Sequence, residues 1–379
     1  MRHPFGLTEN PRRNPHIDLL RGFSIFVVLF THFGGACGPF SESVLISTRL
    51  VKGLGQNSYY GVSMFFVISG FLITSTTLQR YGKLGAVSIP RFFRFRISRI
   101  LPPLLLLVTL NLAGYVSGWP GFEITEPVTV PRLLAYVFTF RFNLLYLRGG
   151  AVLAAWAVLW SLAIEEVFYL AFPLLCRLVR NELALAAVFL GFLALGPYYR
   201  ATNGWSGIYL YGGCFDQLAM GCLTAIAARR WQAGTWSVTL LRCLRGAGLL
   251  AIAFFYFRAD VHLDQTWVWG PTGIAVGAAL FLLGSSTSTR LPESTAASAP
   301  SRRWSWFIRL SGNLSYELYL FHMPIFLLLK PAVQGLAGLI GGLPRDVTFA
   351  GMAVILTYAC WLLAAKVHEP AMAYLRGKP

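Results

Sequence analysis

The chain has 379 residues, of which 56% are hydrophobic and only 12% charged, whereas a soluble domain averages about 25% charged. Its mean hydropathy is positive, and runs of about 20 apolar residues follow one another, which excludes an ordinary soluble fold and predicts an all-α polytopic membrane helix bundle. The net charge of +17 lies between the apolar runs, as expected for cytoplasmic loops, and no basic stripe interleaved with exposed aromatics sits on a soluble module, so no nucleic acid is expected as a partner.

In chain order, residues 1–16 are expected to form a cytoplasmic tail. Arg2, Arg12 and Arg13 precede the first apolar run, but that run carries charges and no small-residue cleavage site follows it. It therefore reads as an uncleaved first span, over 17–34. Its sequence, IDLLRGFSIFVVLFTH, holds Asp18, Arg21 and His32. Arg21 and His32 are about three helical turns apart, which puts them on one face roughly 16 Å from each other. A charge deep in a bilayer costs about 2.5–3.5 kcal/mol, so such residues default to a functional reading. From this segment alone, an Asp18–Arg21 pair at the membrane surface remains equally open.

A polar loop at 35–57 precedes a second span at 59–78. A basic stretch follows, with Arg80, Lys83, Arg91, Arg94, Arg96 and Arg99. Arg91 with Arg94, and Arg96 with Arg99, are i,i+3 neighbours, with Phe92, Phe93 and Phe95 interleaved among the first three arginines. Such a run suits an anchor at anionic lipid, and it equally suits a phosphate site, because guanidinium forks match phosphate. The third span, 97–117, takes in Pro102 and Pro103. The next loop carries Glu123 and Glu126 with no Lys or Arg until Arg132, and reads as external.

The segment 131–148 is punctuated by Arg132, Arg141 and Arg148 and reads as re-entrant or interfacial. Further spans are expected at 154–176, 183–200, 207–228, 245–258, 267–284, 312–332 and 346–366. That makes about ten spans with both termini cytoplasmic, and every basic loop then falls on one side. The segment 285–303, rich in Ser, Thr, Ala and Pro, reads as a flexible cytoplasmic loop, and 375–379 as a cytoplasmic tail. No internal repeat and no inverted-half symmetry is visible. The six cysteines, Cys37, Cys176, Cys214, Cys222, Cys243 and Cys360, form no CxxC pair and read mostly as small apolar residues. No metal-ligating set is expected.

Polar residues recur where apolar ones belong. Glu165 and Glu166 lie within the span at 154–176 and point about 100° apart, so at most one is expected to face a given site. A packing salt bridge, to Arg141 for instance, and a carboxylate that orients an imidazole are both open. His322 lies midway along a span with Glu317 upstream, and reads either as a satisfied structural group or as a catalyst. Asp216, near Gln217 and Gly221, is expected to be paired, with a partner the sequence does not name.

Taken together, these pieces resemble the acyltransferase-3 family of integral membrane acyltransferases. IDLLRGFSIFVVLFTH resembles the family's opening helix, with its Arg, ten residues, then His. GVSMFFVISGFLIT resembles its second-helix signature, and RFFRFRISRILPP its Arg-x-x-Arg stretch with the following proline. WSLAIEEVFYLAFP and SYELYLFHMP resemble later signatures. Each motif alone is weak; the ordered series is specific and covers a transmembrane domain at 17–374.

The resemblance implies transfer of an acyl group, by default acetyl, from cytoplasmic acyl-CoA to a hydroxyl of a surface polysaccharide or lipid-linked glycan of O-antigen, capsule or exopolysaccharide type. It implies a bacterial cytoplasmic (inner) membrane setting and no permanently bound cofactor. His32 would match the essential histidine, Arg21 its partner, and Arg91 and Arg94 the Arg-x-x-Arg pair; Arg21, Arg91 and Arg94, with Arg96 at the same inner face, are expected to hold the phosphates of acyl-CoA. Glu165 would match the first Glu of the WSL motif and orient His32. Asp18, Glu166, Asp216 and His322 are candidates for acceptor contact or support.

Two departures matter: Ser63 stands where an acidic residue is frequent, and Cys214 stands where many members carry Arg. The chain ends soon after its last span, so the bundle itself is expected to handle the acceptor. Three other functions remain open. One is an acyltransferase for a macrolide or lipid headgroup, one is a glycan transporter or flippase, which should show no acyl-CoA turnover, and one is a structural membrane protein.

Overall fold

Apolar runs can cross lipid only as structures that satisfy their own backbone hydrogen bonds. In the computed structural model the described residues are 14–37, 57–125, 127–148, 154–231, 237–258, 266–286, 306–339 and 345–376, and among them every regular element is helical. In order they are α1 (Pro15–Cys37), α2 (Ser58–Tyr81), α3 (Ile89–Val116), α4 (Val130–Phe138), α5 (Phe142–Leu147), α6 (Leu159–Val179) and α7 (Glu182–Asn203). These are followed by α8 (Tyr211–Trp231), α9 (Val238–Arg258), α10 (Thr266–Ser285), α11 (Trp306–Asn313), α12 (Ser315–Leu339), α13 (Arg345–Leu363) and α14 (Glu369–Leu375). A π-helical turn, Ala364–His368, joins the last two. The expected tail at 1–16 and the loops at 35–57 and 285–303 fall largely outside the described residues.

Among the described residues, 8 stretches are long and apolar enough to cross a membrane: Pro15–Phe33, Tyr59–Tyr81, Ile89–Val116, Ala154–Val179, Glu182–Tyr209, Val238–Phe257, Thr266–Ser285 and Val347–Leu375. The chain is a multi-pass membrane protein. The expectation of about ten spans counted two more, now α8 and α12. Both are long enough, at about 32 and 38 Å, but both carry polar residues, Asp216 and Gln217 on α8 and Glu317, His322 and Lys330 on α12. Their surroundings explain this. α8 is buried on most of its circumference and packs against α2, α7 and α10, so it faces protein and has little need of a lipid-compatible surface. By contrast, α7 and α9 expose Leu183, Leu190, Leu249, Leu250 and Phe254, an apolar skin suited to acyl chains.

Three boundaries differ from the sequence reading. Of the basic stretch before 97, Arg91, Arg94 and Arg96 lie in the first part of α3 and Arg80 in the last turn of α2, so these arginines are held on helices. The short span expected at 245–258 begins at Val238, because Arg242 and Arg245 are carried within α9. The last helix runs on through its π turn to Leu375. The segment 131–148 forms two helices of 9 and 6 residues, too short to cross.

Lipid supplies no hydrophobic drive between helices, so close backbone approach through small residues holds such bundles together. A Cβ at Gly70 of α2 would collide with the Leu218 carbonyl of α8, and one at Gly221 of α8 would collide with the Val67 carbonyl of α2. The same reciprocity joins α1 to α11, at Gly22 and Gly312. Around these crossings sit the fully buried Ile25, Leu29, Met64, Val67, Leu218 and Leu318.

A buried ion pair adds a polar fastening. Arg200 of α7 meets Asp216 of α8 in a bidentate pair at 2.9 and 3.0 Å, with both side chains at 0% exposure. Thr272 of α10 donates to Asp216 at 2.7 Å, and Arg200 Nε donates to the Val268 carbonyl at 2.9 Å. The partner of Asp216 is thus Arg200, and the group ties α7, α8 and α10 together.

Gly70→Leu and Gly221→Leu are each expected to destabilise the purified protein by about 1–3 kcal/mol or more, read as a lower unfolding temperature in detergent. Gly191→Ala, which meets open space, serves as the unchanged control. Asp216→Ala strands a buried guanidinium and should cost about 3–5 kcal/mol. The double replacement Arg200→Met with Asp216→Leu should cost less than Asp216→Ala alone in the same unfolding assay.

Candidate active site

The site is built at the crossing of α1, α2, α3, α6 and α12. Asn14 caps α1 by accepting from the His16 amide at 3.0 Å, which fixes the helix start two turns before Arg21. Arg21 is buried and its Nε donates to Ser315 Oγ, at the start of α12, at 3.0 Å. Asp18, one turn earlier, is also buried, with its carbonyl against Gly312.

Arg21 opens onto a cavity of about 100 Å³. Its polar lining comprises Ser69 of α2, Arg96 and Arg99 of α3, Ser161, Glu165, Glu166 and Tyr169 of α6, and Ser315, Tyr316 and Tyr319 of α12. Both glutamates line it, where one at most was expected. The cavity follows a broad face of α6, from Ser161 and Leu162 through Glu165 and Glu166 to Tyr169, and successive residues can share such a face.

Glu165 is hydrogen-bonded to the Ser69 and Tyr169 hydroxyls, and the Arg96 guanidinium lies 3.7 Å from the centre of the Tyr169 ring. A cation over an aromatic face is held by the ring quadrupole, so Glu165, Tyr169 and Arg96 form one connected unit. Tyr169 follows Glu165 by one helical turn, a relation the sequence carried without drawing notice. Glu166 is buried, and among the described residues its Oε1 has no hydrogen-bond partner.

The two arginine pairs of α3 separate. Arg96 and Arg99 face the cavity, while Arg91 and Arg94 are exposed and outside it. Arg94 Nε reaches only the Leu375 carbonyl, at 3.4 Å. Residues five apart on a helix point about 140° away from each other, so one pair turns inward when the other turns out.

His32 lies at the far end of the same α1 face as Arg21, half-buried, with its ring centre 5.2 Å from that of His322. His322 is fully buried. Its Nδ1 is 2.7 Å from the Tyr319 carbonyl, which can only accept, so Nδ1 carries a proton and donates it there. Among the described residues its Nε2 has no hydrogen-bond partner. Tyr319 links this pair to the cavity, because its hydroxyl is 2.6 Å from Ser161 Oγ and both residues line the cavity.

Among the described residues no hydrogen bond joins Glu165 to His32; the group beside His32 is His322. Glu317, upstream of His322 in sequence, bonds instead to His368 in the π turn. Asp216 lies in the separate ion pair with Arg200 and does not line the cavity. Arg141 lies beside Tyr136, away from both glutamates. The arrangement thus offers a cationic pocket with carboxylates at one end and two adjacent imidazoles about 16 Å along α1.

The chain is 26% identical over 346 residues to the O-acetyltransferase OatA of Staphylococcus aureus, covering 86% of this chain and 53% of that protein. It is 26% identical over 342 residues to the peptidoglycan O-acetyltransferase OatA of Listeria monocytogenes, covering 84% and 50%. It is 27% identical over 347 residues to the putative peptidoglycan O-acetyltransferase YrhL of Bacillus subtilis, covering 86% and 51%. The chain therefore spans about half the length of the curated relatives it matches. No solved structure matches. The acyltransferase-3 family, described as an acyltransferase domain, matches residues 14–365, and the chain belongs to that family.

Proposed function

We propose that the protein moves an acyl group, acetyl by default, from cytoplasmic acyl-CoA to a hydroxyl of a surface polysaccharide or lipid-linked glycan, across the bacterial inner membrane. The observation that carries this reading is the polar axis that runs from the arginines of the cavity to the His32–His322 pair. Two of the relatives are named as peptidoglycan O-acetyltransferases, one of them putatively, which supports a glycan as the acceptor.

The donor enters the cavity beside Arg21, Arg96 and Arg99. Arg91 and Arg94, exposed on the same helix, draw the anionic donor toward that entrance; charges so placed raise encounter rates more than they hold the bound ligand. Glu165 acts through its partners, fixing Tyr169 and hence the stacked guanidinium of Arg96. Glu166 and Asp18 support the pocket wall.

The thioester arm lies along the bundle toward His32. His32 takes the proton from the acceptor hydroxyl as its oxygen attacks the thioester carbonyl carbon. The carbon–sulfur bond breaks, the ester forms, and the CoA thiolate leaves with the proton that His32 returns. General-base assistance of this kind contributes about 10²–10⁴-fold. His322 packs beside His32 and fixes its ring. Asp216 holds helices and takes no part in the chemistry.

The test is the O-acyl content of surface glycans, measured by NMR in source cells. The comparison is between wild type, a deletion, and the deletion carrying His32→Ala at normal membrane level. Acyl signal should vanish on deletion and stay absent with His32→Ala, with the spectrum naming the acceptor. Unchanged glycan acylation in all three strains would overturn the glycan assignment.

A further inference from the structure

The segment 131–148 does not cross the bundle and takes no part in the chemistry described so far, yet it is held in a defined shape. Phe140, between α4 and α5, has a φ of 55°, a left-handed conformation that a bulky residue rarely adopts. Such a conformation persists only where its surroundings impose it, and it recurs at ligand clamps. Here the Tyr211 hydroxyl donates to the Phe140 carbonyl at 2.6 Å, and Asn143 donates to the Tyr209 carbonyl at 3.1 Å. Both bonds tie the hairpin of α4 and α5 to the 3₁₀ helix Gly204–Tyr209 and the start of α8.

This fastening gathers aromatic rings. Tyr209 is their hub, with its ring centre 4.8 Å from that of Trp160, 5.3 Å from that of Tyr146 and 5.8 Å from that of Trp205. Trp160 is buried, Tyr146 and Tyr209 are half-buried and Trp205 is exposed, so the cluster grades from the interior of the bundle to its surface. Its inner end meets the polar axis. Trp160 packs against Phe66, which lines the cavity, and precedes Ser161, whose hydroxyl is 2.6 Å from that of Tyr319, one helical turn before His322. An interfacial aromatic belt is spread around a membrane protein and faces lipid; these rings instead touch one another in a line toward the histidines.

The hairpin also carries Arg132, Arg141 and Arg148, all exposed. Among the described residues none of the three makes an ion pair. Arg148 donates to the Tyr136 hydroxyl at 3.3 Å, and the Arg141 guanidinium lies 5.9 Å from the Tyr136 ring centre, so two cations converge on one residue. With the basic loops cytoplasmic, this hairpin lies at the outer end of the bundle, where basic residues are scarce.

We propose that this outer face is a subsite for an acidic saccharide, with Tyr146, Tyr209 and Trp205 against the sugar rings and Arg141 and Arg148 on its carboxylates. The chemistry is that of a pyranose. One face presents C–H bonds of slight positive charge, which seat on the negative face of an aromatic ring, while carboxylates at the edge meet guanidinium forks. The assignment rests on the glycan reading above. It gives the non-crossing hairpin a role, which is to hold the acceptor chain while one of its hydroxyls reaches His32. An anionic lipid headgroup is the competing occupant.

The experiment uses the full chain in phosphatidylcholine nanodiscs with or without phosphatidylglycerol. Two tetrasaccharides are titrated: one of N-acetylglucosamine alone, which is neutral, and one in which N-acetylglucosamine alternates with N-acetylmuramic acid, which adds carboxylates to the same rings. Tyr146→Ala, Tyr209→Ala and Trp205→Ala should each weaken binding of both by about threefold to tenfold. Tyr146→Phe and Tyr209→Phe keep the ring and should bind as the wild type does. Arg141→Gln and Arg148→Gln should weaken only the acidic tetrasaccharide, by about twofold to fivefold, and high salt should remove that difference. Unfolding temperatures establish that all variants are folded.

If the wild type binds neither sugar, or if no variant changes the binding, the subsite is overturned and the rings only pack. If the aromatic variants weaken both sugars and the arginine variants weaken neither, the acidic assignment is overturned. If sugar binding is unmoved while the variants lose phosphatidylglycerol that the wild type retains, the face is a lipid site and the proposal fails. If the variants weaken binding as expected but the wild type releases no thiol from acetyl-CoA with the acidic tetrasaccharide, the subsite stands and the acyl-transfer reading fails.

Discussion

The constraint on which the rest depends is that a charged or strongly polar side chain inside a bilayer must meet another polar group or a wet cavity. This chain meets it in two ways, and the difference separates structure from site. Arg200 and Asp216 satisfy one another completely, with Thr272 and backbone carbonyls filling the remaining directions. Nothing in that group is left for a ligand. Along the other axis, polar atoms are only partly met: Glu166 Oε1 and His322 Nε2 are buried without partners, and Arg96 and Arg99 line open space.

The helices are arranged to bring the second axis together. Glycine crossings at Gly22 with Gly312 and at Gly70 with Gly221 pull α1 and α2 tightly into the bundle. α12 then lies against α1, touching it at Ser315 beside Arg21 and again at His322 beside His32. Tyr319 falls between these contacts and reaches across to Ser161 of α6. Segments distant in the sequence thus converge through backbone contacts that only small residues permit.

Much of the fold was legible because hydrophobicity reports lipid exposure directly. The first two spans and the non-spanning nature of 131–148 follow from run length and charge alone. The extents of α3 and α9 were less legible, because arginines on a helix look in sequence like arginines in a loop. The site was legible as composition and not as geometry. Arg91 with Arg94 and Arg96 with Arg99 have the same spacing, and only the rotation of α3 against α6 decides which pair turns inward. The partners of Asp216 and Glu317, Arg200 and His368, come from other helices, and no local pattern names them. The neighbour of His32 is likewise set by the crossing of α1 with α12.

The central claim is that His32 is the base for acyl transfer at the end of an axis that begins at the arginines. Its most direct test is acceptor-dependent release of CoA thiol by the purified protein supplied with acetyl-CoA and a soluble peptidoglycan fragment. The account predicts that wild-type protein releases thiol only when acceptor is present. It predicts that His32→Ala loses this release while still binding CoA with wild-type affinity. Acceptor-dependent release by His32→Ala at the wild-type rate would contradict the account.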